Sequence, residues 1–512
     1  MKKILFFNFD GTDNEPADAI QDRRLSGKEE DDSITNVLKF HLLLGGQLKE
    51  EYGKTQLSNG SYTFYYHGIG TYGNFFQRKF NAGLSKESKD VKTILEDASK
   101  NFNDYYSEDI DYIVVTGFSR GAALARRFAA IINSTVNRQI VIEGVFDTVA
   151  SIGMPNFRKE DRPSSDVVFE HGHTLPSNVL KALHLVSLDD KRKVFQPTLM
   201  NKDERVTEIW FPGAHGDVGG GYNYDGLSDN ALRFFLDWFE ELPELEIRFL
   251  SPKNIQYDQV FHSDSGLEIE PDDVQIDPNP LGLNHQQKRL PVISHITLTD
   301  RLCCVIKEDK VLKEELPMVH WSVADRIFRD ADYKPQSLKG IEHTIWYRDD
   351  TTKEFRGTSE HKLMNRSNLK VPSKGGVVTR VYAYLKYNHT GIYLQKGKSY
   401  NIEVIEIDKY KWRDGGIHPV DGNGWNRGKV KLAAREIAIA IAEPFKRVTG
   451  NGVDWFTLCG CIGHNDDEAF AIGNGLKNYS PKKSGEFCAF ANDLNGYYGN
   501  NSGFLKVRIE EA

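Results

Sequence analysis

The sequence predicts an α/β fold from residue 1 to about 340, a mostly parallel sheet flanked by helices, followed by a small C-terminal β-sandwich. Three observations predict it. The first part holds short, unalternated apolar runs of the kind that a sheet covered on both faces requires. Amphipathic helical patterns lie between several of those runs. Past residue 376 the pattern changes to strict alternation punctuated by Gly and Asn turns, as in a half-buried antiparallel sheet.

The strands of the first part are expected at "ILFFNF" (4–9), "YTFYYHGIG" (62–70), "DYIVVTGF" (111–118), "IVIEGVFDT" (140–148), "ALHLVSL" (182–188) and "VTEIWFPGA" (206–214). Helices are expected at "DVKTILEDASKNFNDYYS", "GAALARRFAAIINS", "LSDNALRFFLDWFEEL" and "HWSVADRIFRD". Residues 250 to 290 are polar and rich in Pro and Asn, and read as a surface insertion or lid. The polar stretch 341–375 reads as a linker, which sets the domains at 1–340 and 376–512. The second domain carries "VVTRVYAYLKY", "YNIEVIEID", "DWFTLCGCIG", "FCAFAND" and "GFLKVRIEE" as strands, with one inserted helix over 430–446.

Composition excludes several classes. The 512 residues carry 65 basic and 73 acidic side chains, a net charge of −8, so no basic face for nucleic acid is expected. No apolar stretch approaches the roughly 18 residues of a membrane span. The opening "MKKILFFNFDGT" has too short an apolar run for a signal peptide and reads as a strand. The expected location is therefore the cytoplasm of the producing cell. Five cysteines at 303, 304, 459, 461 and 488 form neither a disulfide framework nor a zinc pattern.

The opening strand ends in "NFDGT", which invites comparison with aspartyl-phosphate phosphatases. Those need a carboxylate at the position that Asn8 occupies, and an amide cannot attack phosphorus. The stretch reads better as a loop lining a different site.

That site centres on Gly117-Phe118-Ser119-Arg120-Gly121, between a buried strand and an amphipathic helix. Small residues two positions either side of a serine permit a tight strand-to-helix turn that lifts the hydroxyl above the sheet. The N–H of the next residue, Arg120, and the helix dipole then face the reacting carbonyl. Gly11 or Thr12 is expected to supply a second oxyanion donor, with Asp10 fixing their loop.

A serine hydroxyl needs a base and an acid that orients it. His215, directly after a strand in "FPGAHGDVGGGY", is the expected base. His184 sits within an apolar strand and reads as core, whereas His67 at a strand end could line the site. For the acid, Asp147 in "GVFDTVAS" is preferred over Asp189 and Asp190, which adjoin Lys191 and Arg192 and read as solvated. Asp217 is expected to shape the loop after His215.

The segments "FDGTDN", "SITNV", "YYHGIGT", "GFSRGAALARRFA", "GVFDTVAS", "FPGAHGDVGGGY" and "DYKP" resemble, in order, the α/β-hydrolase family known as DUF2235. That family includes phospholipase effectors of the type VI secretion system, the first lipase-effector family. The resemblance covers about residues 1 to 340 and implies an α/β-hydrolase fold with a Ser119–Asp147–His215 triad. It implies ester hydrolysis without a cofactor, a phospholipid or other acyl-ester substrate, signal-independent export on a secretion carrier, and a cognate immunity protein.

The C-terminal "NDLNGYYGNNSGFLKVRI" resembles the calcium-binding end of the galactophilic lectin LecA. The resemblance implies calcium held by Asp493, Asn500 and Asn501 with the carbonyls of Tyr410 and Tyr497, and a glycan facing His418 and Asp421. Tyr497 stands where the lectin has threonine, Asp421 where it has an amide, and the loop before His418 is shorter. Calcium suits a site of one carboxylate plus amide and carbonyl oxygens. The expected function is thus a lipase or phospholipase with a lectin-like targeting domain. An esterase for acylated sugars and a non-catalytic interaction module stand as alternatives.

Overall fold

The computed structural model describes residues 2–11, 33–68, 87–150, 175–261, 269–285, 298–308, 310–330, 332–346, 352–356, 370–383, 385–415, 417–429, 436–450, 452–463, 465–495, 497–498 and 501–512. They fall into two compact units that divide between Met364 and Asn365.

The first unit is built on a ten-stranded sheet. Its strands are β1 (Ile4–Phe9), β2 (Thr55–Gln56), β3 (Tyr62–Tyr66), β4 (Tyr112–Phe118), β5 (Val141–Phe146), β6 (Val179–Ser187) and β7 (Val206–Phe211). After a small separate hairpin of β8 (Ile306–Lys307) and β9 (Lys310–Val311) come β10 (Met318–His320), β11 (Glu342–Trp346) and β12 (Thr352–Arg356). The order is β12-β11-β10-β7-β6-β5-β4-β1-β3-β2. Every pair from β11 across to β3 is parallel, and only the edge strands β12 and β2 run antiparallel.

Side-chain alternation explains why these strands look uniformly apolar. Along β1, Ile4 and Phe6 enter one core, whereas Leu5, Phe7 and Phe9 enter another on the opposite face. Helices α1 (Asn36–Leu43) and α5 (Gly226–Glu241) pack residues into the first core. Helices α2 (Glu87–Tyr105) and α3 (Arg120–Ile132) pack into the second. Between α3 and α5 in the chain, α4 (His215–Gly219) is a single short helix after β7.

Two expectations are corrected here. The stretch 341–375 is not simply a linker, because β11 and β12 extend the main sheet. The described residues of the stretch 250–290 are not merely a surface insertion: Ile255, Val260, Ile269 and Val274 are buried in the first core. Asn8 is wholly buried, its amide donating to Thr63 Oγ1 and the Phe64 carbonyl and accepting from Thr116 Oγ1, so it ties three strands together.

The second unit comprises two antiparallel sheets. One has the order β13 (Val377–Tyr382), β21 (Asn501–Glu511), β15 (Tyr400–Ile405), β19 (Gly475–Tyr479), with β16 (Trp412–Asp414) also on β21. The other is β14 (Asn388–Leu394), β20 (Gly485–Ala491), β17 (Leu458–Ile462), β18 (Phe470–Ala471). Residues from both share one apolar cluster, including Val381, Ile402 and Leu505 from the first and Ile392, Leu458 and Phe487 from the second. Of the inserted helix expected over 430–446, the described part runs Glu436–Ala442, and residues 430–435 lie outside the described residues.

A buried ion triad pins α1 to α5. Lys39 Nζ meets Asp225 at 2.8 Å and Asp229 at 3.1 Å, with the lysine side chain only 1% exposed. Burial and the neighbouring Asp225 push the Asp229 carboxyl up to about 7. Removing one member strands the others without solvent. Lys39→Met is therefore expected to destabilise the first unit by about 3–5 kcal/mol, read from urea unfolding followed by tryptophan fluorescence.

Candidate active site

The parallel register carries the functional side chains to one edge of the first unit. Phe118 is level with Phe146, Phe146 with Leu185, and Ser187 with Phe211. Ser119, Asp147, Asp190 and His215 follow those strand ends directly or within a few residues.

Ser119 sits at the turn from β4 into α3 with φ 58° and ψ −124°, and only 4% of it is exposed. The glycines of the motif are needed for space. A Cβ on Gly121 would lie 2.2 Å from the Asp10 carbonyl oxygen, and one on Gly117 would lie 2.5 Å from that of Gly121. The helix start is thus pressed against the loop that follows β1. Asp147, after β5, has φ 39°, a second strained side-chain-bearing residue in the same place.

His215 Nδ1 lies 2.5 Å from Asp147 Oδ2. With its proton on Nδ1, the imidazole presents Nε2 as a base. Nε2 is buried and has no hydrogen-bond partner among the described residues; a bond from the Ser119 hydroxyl is not among its contacts. The ring is held by Phe118, whose centroid is 4.5 Å away, and by Phe195 at 4.9 Å. The His215 backbone N–H donates to Asp190 Oδ2 at 3.2 Å. Burial lowers the imidazole pKa below its ordinary value, against the opposing pull of Asp147 and Asp190.

Arg301, missed in the sequence, grips Asp147 with both terminal nitrogens. Nη1 donates to Oδ1 at 2.7 Å and Nη2 to Oδ2 at 2.9 Å, and both side chains are fully buried. The same nitrogens donate to the carbonyls of Ser187 and Phe195. Burial would raise the Asp147 carboxyl, but the Arg301 charge and the His215 ring outweigh it and hold it well below the usual carboxylate range.

The alternative acids are placed differently from expectation. Asp189 and Asp190 are not solvated; they are 5% and 1% exposed. Asp190 pairs with Arg192 at 2.6 Å, whereas Asp189 accepts from Tyr333, Asn284 and the Gly213 N–H. Asp217 shapes the turn by accepting from the Ala214 N–H and from both the backbone and Nδ1 of His285. His184 is a satisfied core residue between Glu208 and the Thr148 N–H.

On the oxyanion side, Arg120 opens α3 with its N–H in the first turn. Gly11 donates its N–H to Asp10 Oδ1 at 2.6 Å, so that donor is already engaged by the carboxylate beside it. Thr12 lies outside the described residues. Asp10 also accepts from Tyr65 Oη at 2.5 Å and Thr35 Oγ1 at 2.7 Å. The His67 ring stands edge-on to Tyr65 at 5.5 Å, beside this cluster.

Residues 2–136 and 132–238 match the family model described as "T6SS, Phospholipase effector Tle1-like, catalytic domain". The matched stretch holds Ser119, Asp147 and His215 and ends before Arg301. Among solved structures, the chain is similar to an uncharacterized protein from Pseudomonas aeruginosa, at 19% identity and a TM-score of 0.29, covering 46% of this chain and 45% of that one. It is similar to the Tle1 effector bound to the VgrG spike from the type 6 secretion system, at 24% identity and a TM-score of 0.25, covering 43% and 51%. The EclA N-terminal domain, a PllA-like lectin, matches at 16% identity and a TM-score of 0.18, covering 27% and 100%. The chain spans about half the length of the first two of these. No curated protein matches.

In the second unit, Asn501 Nδ2 donates to Asp493 Oδ2 at 2.9 Å, which brings two of the expected calcium ligands together. Asn501 Oδ1 is buried with no hydrogen-bond partner among the described residues, and burial raises the Asp493 carboxyl. An orphaned amide oxygen beside a desolvated carboxylate fits a hard cation. Tyr410 is buried and Tyr497 is 64% exposed; Asn500 lies outside the described residues. His418 is exposed in the turn between Trp412 and Val420, and Asp421 accepts from the Asn423 N–H. Among the described residues, no group of three or more His, Cys, Asp or Glu is placed to hold a metal.

Burial raises the Asp10 carboxyl from 3.8 to about 6, against the hydrogen bonds of Tyr65, Thr35 and Gly11. Between those values the folded chain holds a proton that the unfolded chain has released, so this contribution is full below pH 3.8 and is lost as pH rises through about 6. The stability of the natural protein relative to Asp10→Asn is expected to fall over that window. Parallel thermal melts of the two across pH 4–7 measure it.

Proposed function

We propose that the first unit is a serine hydrolase that cleaves acyl esters of phospholipids. The observation that carries the reading is the buried contact of 2.5 Å between Asp147 and His215 at the strand ends beside the strained Ser119 turn. The match of residues 2–238 to a phospholipase-effector catalytic domain supports the substrate class.

In this mechanism Nε2 of His215 takes the Ser119 proton as Oγ bonds to the acyl carbon. The oxyanion accepts from the Arg120 N–H at the positive end of α3. Asp147 stays ionised, donates no proton and stabilises the imidazolium. The imidazolium protonates the departing alkoxide, and water then reverses the sequence to free the fatty acid. The family description also favours delivery by a type VI secretion system, with a carrier and an immunity protein as the partners that the resemblance implies.

Ser119→Ala is expected to abolish fluorophosphonate labelling and to cut fatty-acid release from phospholipid vesicles by about 10³-fold or more. Because burial lowers the His215 pKa, kcat/KM is expected to fall only below about pH 6.5, where the base becomes protonated. Release of acetate from acetylated sugars in place of fatty acid would redirect the substrate to acylated glycans. Absence of both labelling and turnover would sink the enzymatic reading.

For the second unit we propose a β-sandwich lectin-like module whose calcium is held by Asp493, Asn500 and Asn501 with the Tyr410 and Tyr497 carbonyls, and whose glycan faces His418 and Asp421. The orphaned Asn501 Oδ1 favours it. Calcium is expected to raise the thermal midpoint of the full chain, reversibly with chelator, and not in Asp493→Asn. A midpoint indifferent to calcium in the natural protein counts against the module.

A further inference from the structure

Arg301 lies outside the stretch that matches the phospholipase-effector catalytic domain, yet it makes the closest cationic contact to the acid of the site. Its two terminal nitrogens take both Asp147 oxygens, and the carbonyls of Ser187 and Phe195 fix the guanidinium from behind. Apart from Arg301 and the ring, Asp147 accepts from the Ser187 N–H at 3.0 Å, and one neutral donor on Oδ1 leaves Oδ2 to be aimed at the ring by the fork. We propose that Arg301 is the positioning residue of this site: its fork locks Asp147 toward His215, and its charge sets how basic the imidazole is.

The electrostatic half follows from the groups around the ring. His215 faces Asp147 from the end of β5, Asp190 and Arg192 from beyond β6, and Phe118 and Phe195 from either side. Asp217, on its own helix, is turned to His285. Each carboxylate in contact with His215 is thus matched by a guanidinium, Asp147 by Arg301 and Asp190 by Arg192. A carboxylate already paired attracts an imidazolium less than a lone one does. Arg301 therefore keeps the histidine neutral and ready to accept a proton at pH values where an unmatched Asp–His pair would hold it charged.

The catalytic part rests on the hydrolase reading, and the test separates the two. In the full chain, the pH dependence of fluorophosphonate labelling and the titration of ¹³C-labelled His215 by NMR are measured for the natural protein, Arg301→Gln and Arg301→Lys. Arg301→Gln is expected to move both the acid limb and the imidazole titration up by about one pH unit, with neutral-pH labelling slowed by about 10-fold or more. Arg301→Lys keeps the charge but not the fork, so the limb stays within a few tenths of a unit while labelling slows by about 10-fold. A limb and titration that do not move in Arg301→Gln reduce Arg301 to a structural part and overturn the electrostatic claim. Natural-rate labelling in Arg301→Lys overturns the positioning claim, and it decides alone if the glutamine variant does not fold. Should the natural protein not label at all, the hydrolase reading falls, and the NMR titration still reads the charge effect.

Discussion

A parallel sheet delivers the ends of all its strands to one edge, and here that constraint assembles the site. The ends of β4, β5, β6 and β7 are level to within two residues, about 6.6 Å along a strand. A nucleophile, its acid and its base can then come from turns far apart in sequence without any long loop having to find its place. The rigidity of the sheet also sustains the positive φ of Ser119 and Asp147, conformations that cost about 1–3 kcal/mol each and persist only where the surroundings over-determine them. The two motif glycines belong to the same constraint. They let α3 start hard against the backbone after β1, which brings the Asp10 loop and the Arg120 N–H to one side of the serine.

Among the described residues, Asp10, Asp147, Asp189, Asp190 and Asp217 are carboxylates buried along this edge. Their partners divide them. Burial acts to raise Asp10, Asp147, Asp189 and Asp190, but Asp147 and Asp190 have guanidinium partners strong enough to reverse it, and both end below the ordinary carboxylate range. Asp10 and Asp189 have hydroxyl, amide and backbone donors, which reduce the effect of burial without reversing it. Asp147 and Asp190, the two lowered by guanidinium partners, are also the two that touch His215. Those held by neutral donors fix surrounding loops, where a directed hydrogen bond matters more than a charge.

The fold of the first unit was legible because each part of its pattern is local. Apolar runs of strand length, amphipathic stretches between them and a glycine-flanked serine at a strand-to-helix junction are all short-range signals. Asp147 was legible for a related reason: a carboxyl ending an apolar strand must have a partner. Its pairing with Arg301 was not, because Arg301 is 154 residues away and stands in an unremarkable polar stretch. Asp189 and Asp190 misled for the converse reason. Adjacent Lys191 and Arg192 suggested a solvated turn, whereas the fold buries both acids and uses only Arg192, on Asp190. Residues 250–290 misled by composition, since four buried apolar side chains among many polar ones are enough to seat a segment in a core.

That segment and its successor change what counts as the site. Asn284 bonds Asp189, His285 bonds Asp217, Arg301 grips Asp147 and Tyr333 bonds Asp189. All four partners come from beyond the stretch that matches the effector catalytic domain, and all close on acids at the ends of strands within it. Without them three buried carboxylates would lose charged or polar partners together, and an uncompensated buried charge costs far more than the net gain from the pair itself. The proposed nucleophile, acid and base arise from the first part of the chain, but the buried, charge-matched surroundings in which they would act are completed by residues that follow.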